Sequence, residues 1–366
     1  MTRFTTFAIA ASVLLASCGG ESSPPAETSA EAPASSGSTS AATEAKKQNA
    51  GVVNVYSARH YDSDLALYKQ FTEETGIKVN LLEGESDQLI QRMVNEAEFS
   101  PADVLITVDA GRLWRGVDRG VFQPLEDQSI LNRIPEHFKN PDNYWVALTK
   151  RARVIVYNKE DGAPEGLTEY ADLADPAYEG EICMRTSTNI YNLSLIASFV
   201  SRQGEEGAEE WARGVVSNFA RSPQGNDISI LKSIAAGECG LTVANTYYIA
   251  RLGVSENEAD REVYNKLGII FPNQETTGTH VNVSGIGLAK YTKNKENALA
   301  LIEFLTRPDI QHEFSSGNNE YPAVADAETA PQVIALGDFV ADDLNVSELG
   351  RNQAAAVRVL DRAGWN

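Results

Sequence analysis

From residue 52 onward, short β-branched runs alternate with amphipathic stretches. Val52-Val53-Asn54-Val55-Tyr56 reads as a strand, and the spacing over 63–75, closed by Gly76, reads as a helix. The pairing recurs with a strand over 77–82, a helix near 87–97, a strand over 103–108 and a helix over 110–119 stopped by Gly120. A second series begins near 151, with strands over 153–157 and 181–184 and a helix over 167–173. Helices over 190–202, 208–218 and 228–236 then lead to a strand over 239–245. A late strand at 280–289 precedes helices over 296–305 and 309–315. Such alternation predicts an α/β protein of right-handed βαβ units and parallel sheet, here in two lobes. Lobes joined by crossing segments leave a cleft, and hinge closure on a ligand is the usual use of one.

The stretch before residue 52 has another character. Arg3, an apolar run over 4–16 and Leu15-Ala16-Ser17-Cys18 predict a signal peptide at 1–17, too short to span a membrane. The cysteine at the cut resembles a bacterial lipobox, which implies cleavage before Cys18 and its lipidation, hence an anchored rather than spanning protein. The rest of 18–50 is Gly, Ser, Ala, Thr, Pro and Glu without apolar periodicity, as expected of a flexible tether. As a random coil it spans about 30 Å.

Composition narrows the function. In 366 residues, 31 Lys and Arg face 51 Asp and Glu, a net charge of −20 that disfavours nucleic acid as a partner. HExxH, CxxC, GxSxG and Walker-type stretches are missing from the sequence, so zinc protease, hydrolase and NTPase readings lose their usual signals. Gly285-Ile286-Gly287 lacks the third glycine of a dinucleotide loop and reads as packed strand. With Cys18 lipidated, Cys183 and Cys239 share an oxidising compartment, where one disulfide is expected over two separate buried thiols.

The candidate chemistry is phenolic. Arg59-His60-Tyr61 follows the first strand, Asn189-Ile190-Tyr191-Asn192 opens a helix, and Tyr247-Tyr248 follows the strand ending at Asn245. A lone tyrosine is most simply a half-buried packing residue. Three strand-end loops presenting tyrosine to one presumed cleft point instead to a ligand. A phenol, ionising near pH 10, coordinates only when a strong Lewis acid displaces its proton, and hardness matching favours Fe³⁺. Four phenolates and a neutral imidazole around Fe³⁺ leave one net negative charge, which Arg59, Arg151 or Arg251 could balance. The single helical turn from Tyr248 to Arg251 puts both on one face. His137, His280 and His312 have no partner at metal spacing and read as structural.

Residues 51 to the end resemble the periplasmic ferric-iron-binding proteins of bacterial ABC transporters, especially the tyrosine-rich branch that needs no synergistic anion. The matching stretches run in order from Val55-Tyr56-Ser57-Ala58-Arg59-His60-Tyr61 through Ser100-Pro101-Ala102-Asp103-Val104, Val108-Asp109-Ala110-Gly111-Arg112-Leu113-Trp114, Lys150-Arg151-Ala152-Arg153-Val154 and Ser187-Thr188-Asn189-Ile190-Tyr191-Asn192 to Ala244-Asn245-Thr246-Tyr247-Tyr248 and Asn318-Asn319-Glu320-Tyr321-Pro322. The resemblance implies a two-lobed periplasmic-binding-protein fold, with 51–150 and 280–322 in one lobe and 151–279 and 323–366 in the other. It implies His60, Tyr61, Tyr191, Tyr247 and Tyr248 as ligands of a transported Fe³⁺, with Tyr247 and Tyr248 reaching it from a bend. Arg59, Arg151, Arg251 and Asp109 would stand just outside them, and a Cys183–Cys239 bridge would brace the second lobe. The implied protein is a monomeric, membrane-anchored binding lipoprotein of the periplasm or cell envelope, not an enzyme, that serves an inner-membrane ABC permease. Two rivals are a binding protein for a cationic organic solute such as a polyamine, and an exported redox enzyme, for which five protein ligands leave little open coordination.

Overall fold

Residues 50–366 are described by the computed structural model; the predicted signal peptide, Cys18 and nearly all of the tether lie outside the described residues. The chain opens with β1 (Val52–Ser57), α1 (Asp62–Thr75), β2 (Lys78–Glu83), α2 (Ser86–Glu96), β3 (Val104–Val108) and α3 (Ala110–Asp118). Gly76, at φ 77°, ends α1 in the left-handed conformation that a side chain would resist. Strands β1, β2 and β3 pair in parallel. After β4 (Phe122–Gln123) and α4 (Gln128–Leu131) comes β5 (Trp145–Asn158), a strand of 14 residues of which only the second half shows in the sequence pattern.

The second series contains α5 (Ile190–Ser217), α6 (Asp227–Ala235), β6 (Leu241–Asn245), α7 (Thr246–Gly253), α8 (Glu258–Lys266) and β7 (Leu267–Ile270). The two predicted helices at 190–218 form one bent element, broken at Gly204 (φ 78°, ψ 173°). The expected helix at 167–173 is reduced to a 3-10 turn at Ala171–Ala174, and the expected strand at 181–184 to a bridge at Ile182. The chain returns through β8 (Val281–Ala289), α9 (Lys295–Leu305), α10 (Pro308–Asn318), β9 (Tyr321–Pro322), α11 (Pro331–Ile334), α12 (Ser347–Arg351) and α13 (Gln353–Ala363).

The sheet is not parallel throughout, contrary to expectation. Among the described residues its order is β2-β1-β3-β8-β5-β6, and β8 lies antiparallel to both β3 and β5. The cause is that β5 and β8 are long connecting strands rather than members of βαβ units. Trp145 to Ala152 of β5 pair with β8, and Arg153 to Tyr157 pair with β6, so β5 changes partner between Ala152 and Arg153. Gly285 lets β8 pass at close quarters, since a Cβ there would stand 2.7 Å from both Leu113 Cδ1 and the Val146 carbonyl. Core packing divides into a large cluster around β1, β3, β5 and β8 and a second around Leu173, Leu195, Trp211, Leu360 and Trp365. No helix of the described residues is long and apolar enough to cross a membrane.

Candidate metal-binding site

Each tyrosine of interest stands at the first turn of a helix. Tyr61 is the residue before α1, in extended conformation (φ −116°, ψ 133°). Tyr191 lies in the first turn of α5, where the Asn189 side chain caps the helix by accepting from the amides of Tyr191 (3.2 Å) and Asn192 (3.3 Å). Tyr247 and Tyr248 are the second and third residues of α7, not part of an irregular bend as expected. Their ring centroids are 4.1 Å apart, because successive positions in one helical turn diverge less than successive positions on a strand. The Tyr247 hydroxyl donates to the Tyr191 hydroxyl at 3.0 Å. Hence two helices, far apart in sequence, deliver adjoining oxygens.

Burial raises the pKa of Tyr61, with Glu320 adding to it and Arg59 opposing it. Burial also holds Tyr247 and Tyr248 well up, and the neighbouring Tyr191 adds to both. Neutral phenols are therefore the resting state.

Guanidiniums surround the phenols. Arg59 lies 4.9 Å from the Tyr61 ring, and Arg251 lies 6.0 Å from Tyr61 and 5.9 Å from Tyr248. Arg151, Arg153 and Arg185 stand 6.0, 5.9 and 5.7 Å from the Tyr191 ring. Arg151 and Arg153 share a face of β5 at the point where it changes partner. Buried carboxylates hold four of the five. Asp64 and Glu320 pair with Arg59, while Asp227 pairs with Arg185 at 2.5 Å and reaches Arg153 at 3.7 Å.

The predicted residues thus separate into groups. Tyr61, Tyr191, Tyr247, Tyr248, Arg59, Arg151 and Arg251 share one neighbourhood. Asp109 is fully buried, strained at φ 78°, and accepts from Ser194 Oγ at 2.8 Å and Asn282 Nδ2 at 2.9 Å, which ties α3 to the Tyr191 helix. His60 is exposed, and the contact of its ring is with Glu83 of β2, Nδ1 to Oε1 at 3.4 Å. Cys183 and Cys239 form a disulfide, with Cα atoms 5.9 Å apart. The sequence reading missed Arg153, Arg185, Asp227 and Glu320. Arg153 and Glu320 stood inside recognised stretches, but nothing local told them from surface charge. A cavity of about 700 Å³ beside Tyr170, Phe199, Trp211 and His280 contains none of the predicted ligands. Among the described residues no three His, Cys, Asp or Glu are grouped to hold a metal, so the phenols are the available hard donors.

Residues 99–335 match the bacterial extracellular solute-binding protein family. The chain is 47% identical over 313 residues to iron uptake protein A1 of Synechocystis sp., an alignment covering 86% of this chain and 87% of that one. It is similar to the Trichodesmium protein solved in complex with iron and citrate (48% identity, TM-score 0.84, 86% of this chain and 100% of that one). A ferric binding protein from Campylobacter jejuni superposes with a TM-score of 0.81 at 40% identity, over 86% of this chain and 100% of its own.

Proposed function

This chain belongs to the bacterial extracellular solute-binding protein family, and on that premise we propose that it captures ferric iron through tyrosine phenolates in an interlobe cleft and delivers it to an ABC permease. It is a ferric-iron-binding protein of a periplasmic ABC iron-transport system, and a binder rather than an enzyme.

The observation that carries the ligand assignment is the convergence of Tyr61, Tyr191, Tyr247 and Tyr248 from three separate segments, with two hydroxyls 3.0 Å apart. Oxygens at that distance fit adjacent positions on one ion with bonds of about 2 Å. Ferric iron displaces the phenolic protons, and the surrounding guanidiniums offset the charge of the resulting anionic centre. His60 completes the proposed ligand set, in exchange for its contact with Glu83. A polyamine fits less well, because Arg59, Arg151, Arg153, Arg185 and Arg251 would repel an ammonium group and the buried carboxylates are already paired.

The lobes are assigned as 51–150 with 280–322 and 151–279 with 323–366. The packing of Leu360 and Trp365 with Leu195 and Trp211 supports placing the C-terminal helix in the second. The protein acts as a monomer, held to the membrane through lipid on Cys18 and the tether to residue 50.

A titration of the metal-stripped protein with ferric citrate, with citrate alone as blank, tests the site. Phenolate bound to Fe³⁺ gives a visible charge-transfer band, expected to saturate at one iron per chain. Bound iron without that band would remove the tyrosines from the ligand set.

A further inference from the structure

We propose that Glu320 is a positioning residue of the ferric site, a single buried carboxylate that holds in place both the guanidinium facing Tyr61 and the guanidinium facing Tyr191. The inference rests on the ferric reading above. Glu320 follows Asn319, whose φ of 60° reverses the chain after α10, and it precedes β9, which pairs with Thr149 and Lys150 of β5. It is 2% exposed. Its Oε2 accepts from Arg59 Nη1 and from Thr149 Oγ1, both at 3.0 Å, while its Oε1 lies 3.7 Å from Arg151 Nη1. One carboxylate therefore joins the Tyr61 segment to the strand that bears Arg151.

The two arginines depend on it unequally. Arg59 also binds Asp64 through Nε (2.7 Å) and Nη2 (3.2 Å). Arg151 donates otherwise to Ser284 Oγ at 2.9 Å, its Nε has no partner, and Glu320 is its one carboxylate at ion-pair distance among the described residues. Loss of the Glu320 charge leaves Arg151 buried with Ser284 as its remaining side-chain anchor and no carboxylate at ion-pair distance, whereas Arg59 keeps its clamp on Asp64. Electrostatic stabilisation by groups already in place requires no reorganisation when charge develops. Glu320 and Ser284 together keep Arg151 in that position, so the Tyr191 side of the centre depends on a carboxylate carried by the segment after α10.

The test is Glu320→Gln, which preserves shape and removes charge, compared with Arg151→Met and with the double variant. Thermal unfolding of the metal-free proteins first establishes that each is folded. The expected result is a charge-transfer band displaced from wild type and iron lost to about 10-fold less competing citrate, within the usual range for losing an outer partner of a metal ligand. In the Arg151→Met background the second change should cost clearly less than it does in wild type, since the part of its effect that passes through Arg151 is already lost and only the part through Arg59 remains. A folded Glu320→Gln protein with the wild-type band and competition curve would overturn the proposal, as would full additivity with Arg151→Met. Should Glu320→Gln fail to fold, Thr149→Val removes one tether while retaining the charge. It should weaken iron retention in the same direction, and an unchanged band and retention would also overturn the proposal. A wild-type protein with no ferric band would instead sink the parent reading.

Discussion

At the scale of single residues, the chemistry turns on proton competition. Each buried phenol is held neutral by its surroundings, so every phenolate formed with iron releases a proton. Iron affinity should fall as pH falls, with a slope steeper than one proton per iron, and equilibrium competition against citrate across pH 5–8 would measure it. Without metal the sign is reversed. A raised phenol pKa means that the unfolded chain ionises first, so stability is intact below about pH 10 and declines as pH rises beyond it. Urea midpoints of the metal-free protein on either side of that value check the direction. Phe at both 247 and 248 should reduce ferric affinity by more than about 100-fold, beyond the loss typical of an outer-shell change. His280 adds an acid limb. Burial, with Arg153 and Arg151 nearby, lowers its pKa to about 3 from 6.5, so stability is lost as pH falls through that interval.

At the scale of elements, the site depends on where strands and helices meet. Strand alternation puts Arg151 and Arg153 on one face of β5, at its change of partner, and the first turns of α5 and α7 supply three tyrosines. The disulfide precedes Tyr191 and Tyr247 by equal lengths of chain and joins the segments leading to them. Replacing both cysteines with serine should cost about 2–4 kcal/mol in urea unfolding and loosen iron retention. Gly285→Ala, which forces a methyl against Leu113 and Val146, should cost about 1–3 kcal/mol without displacing the ferric band. Most regular elements of 52–157 were legible because period-2 and period-3.6 patterns are local. The first half of β5 was not: burial is continuous along the whole strand, so neither half alternates, and Trp145-Val146-Ala147-Leu148 lacks the β-branched run that marks the second half at Val154-Ile155-Val156. The expected strand at 181–184 shrank to a bridge because only Ile182 meets neighbours in ladder register, Phe219 and Leu241, while the backbone hydrogen bonds of Glu181, Cys183 and Met184 do not extend it.

At the scale of the molecule, binding is linked to stability. A ligand held only by the folded state adds about 2.7 kcal/mol at 100-fold excess over Kd. Ferric iron should therefore raise the unfolding midpoint of wild type and raise that of the Tyr247→Phe/Tyr248→Phe protein by distinctly less, a comparison that calorimetry can make. The sequence alone determined the α/β class, the three tyrosine-bearing segments, the hardness of the ion they suit and the pair of cysteines, since these follow from residue type and short-range order. Tertiary structure decided the antiparallel return of β8, the helical placement of Tyr247 and Tyr248, and the buried network of Asp64, Glu320 and Asp227 with Arg59, Arg151, Arg153 and Arg185. An arginine in a sequence reads as a surface charge until its carboxylate partner is known, and here Arg59 meets Glu320 from 261 positions away. Charge pairing across such a distance leaves no local trace, because burial and proximity are properties of the folded chain alone.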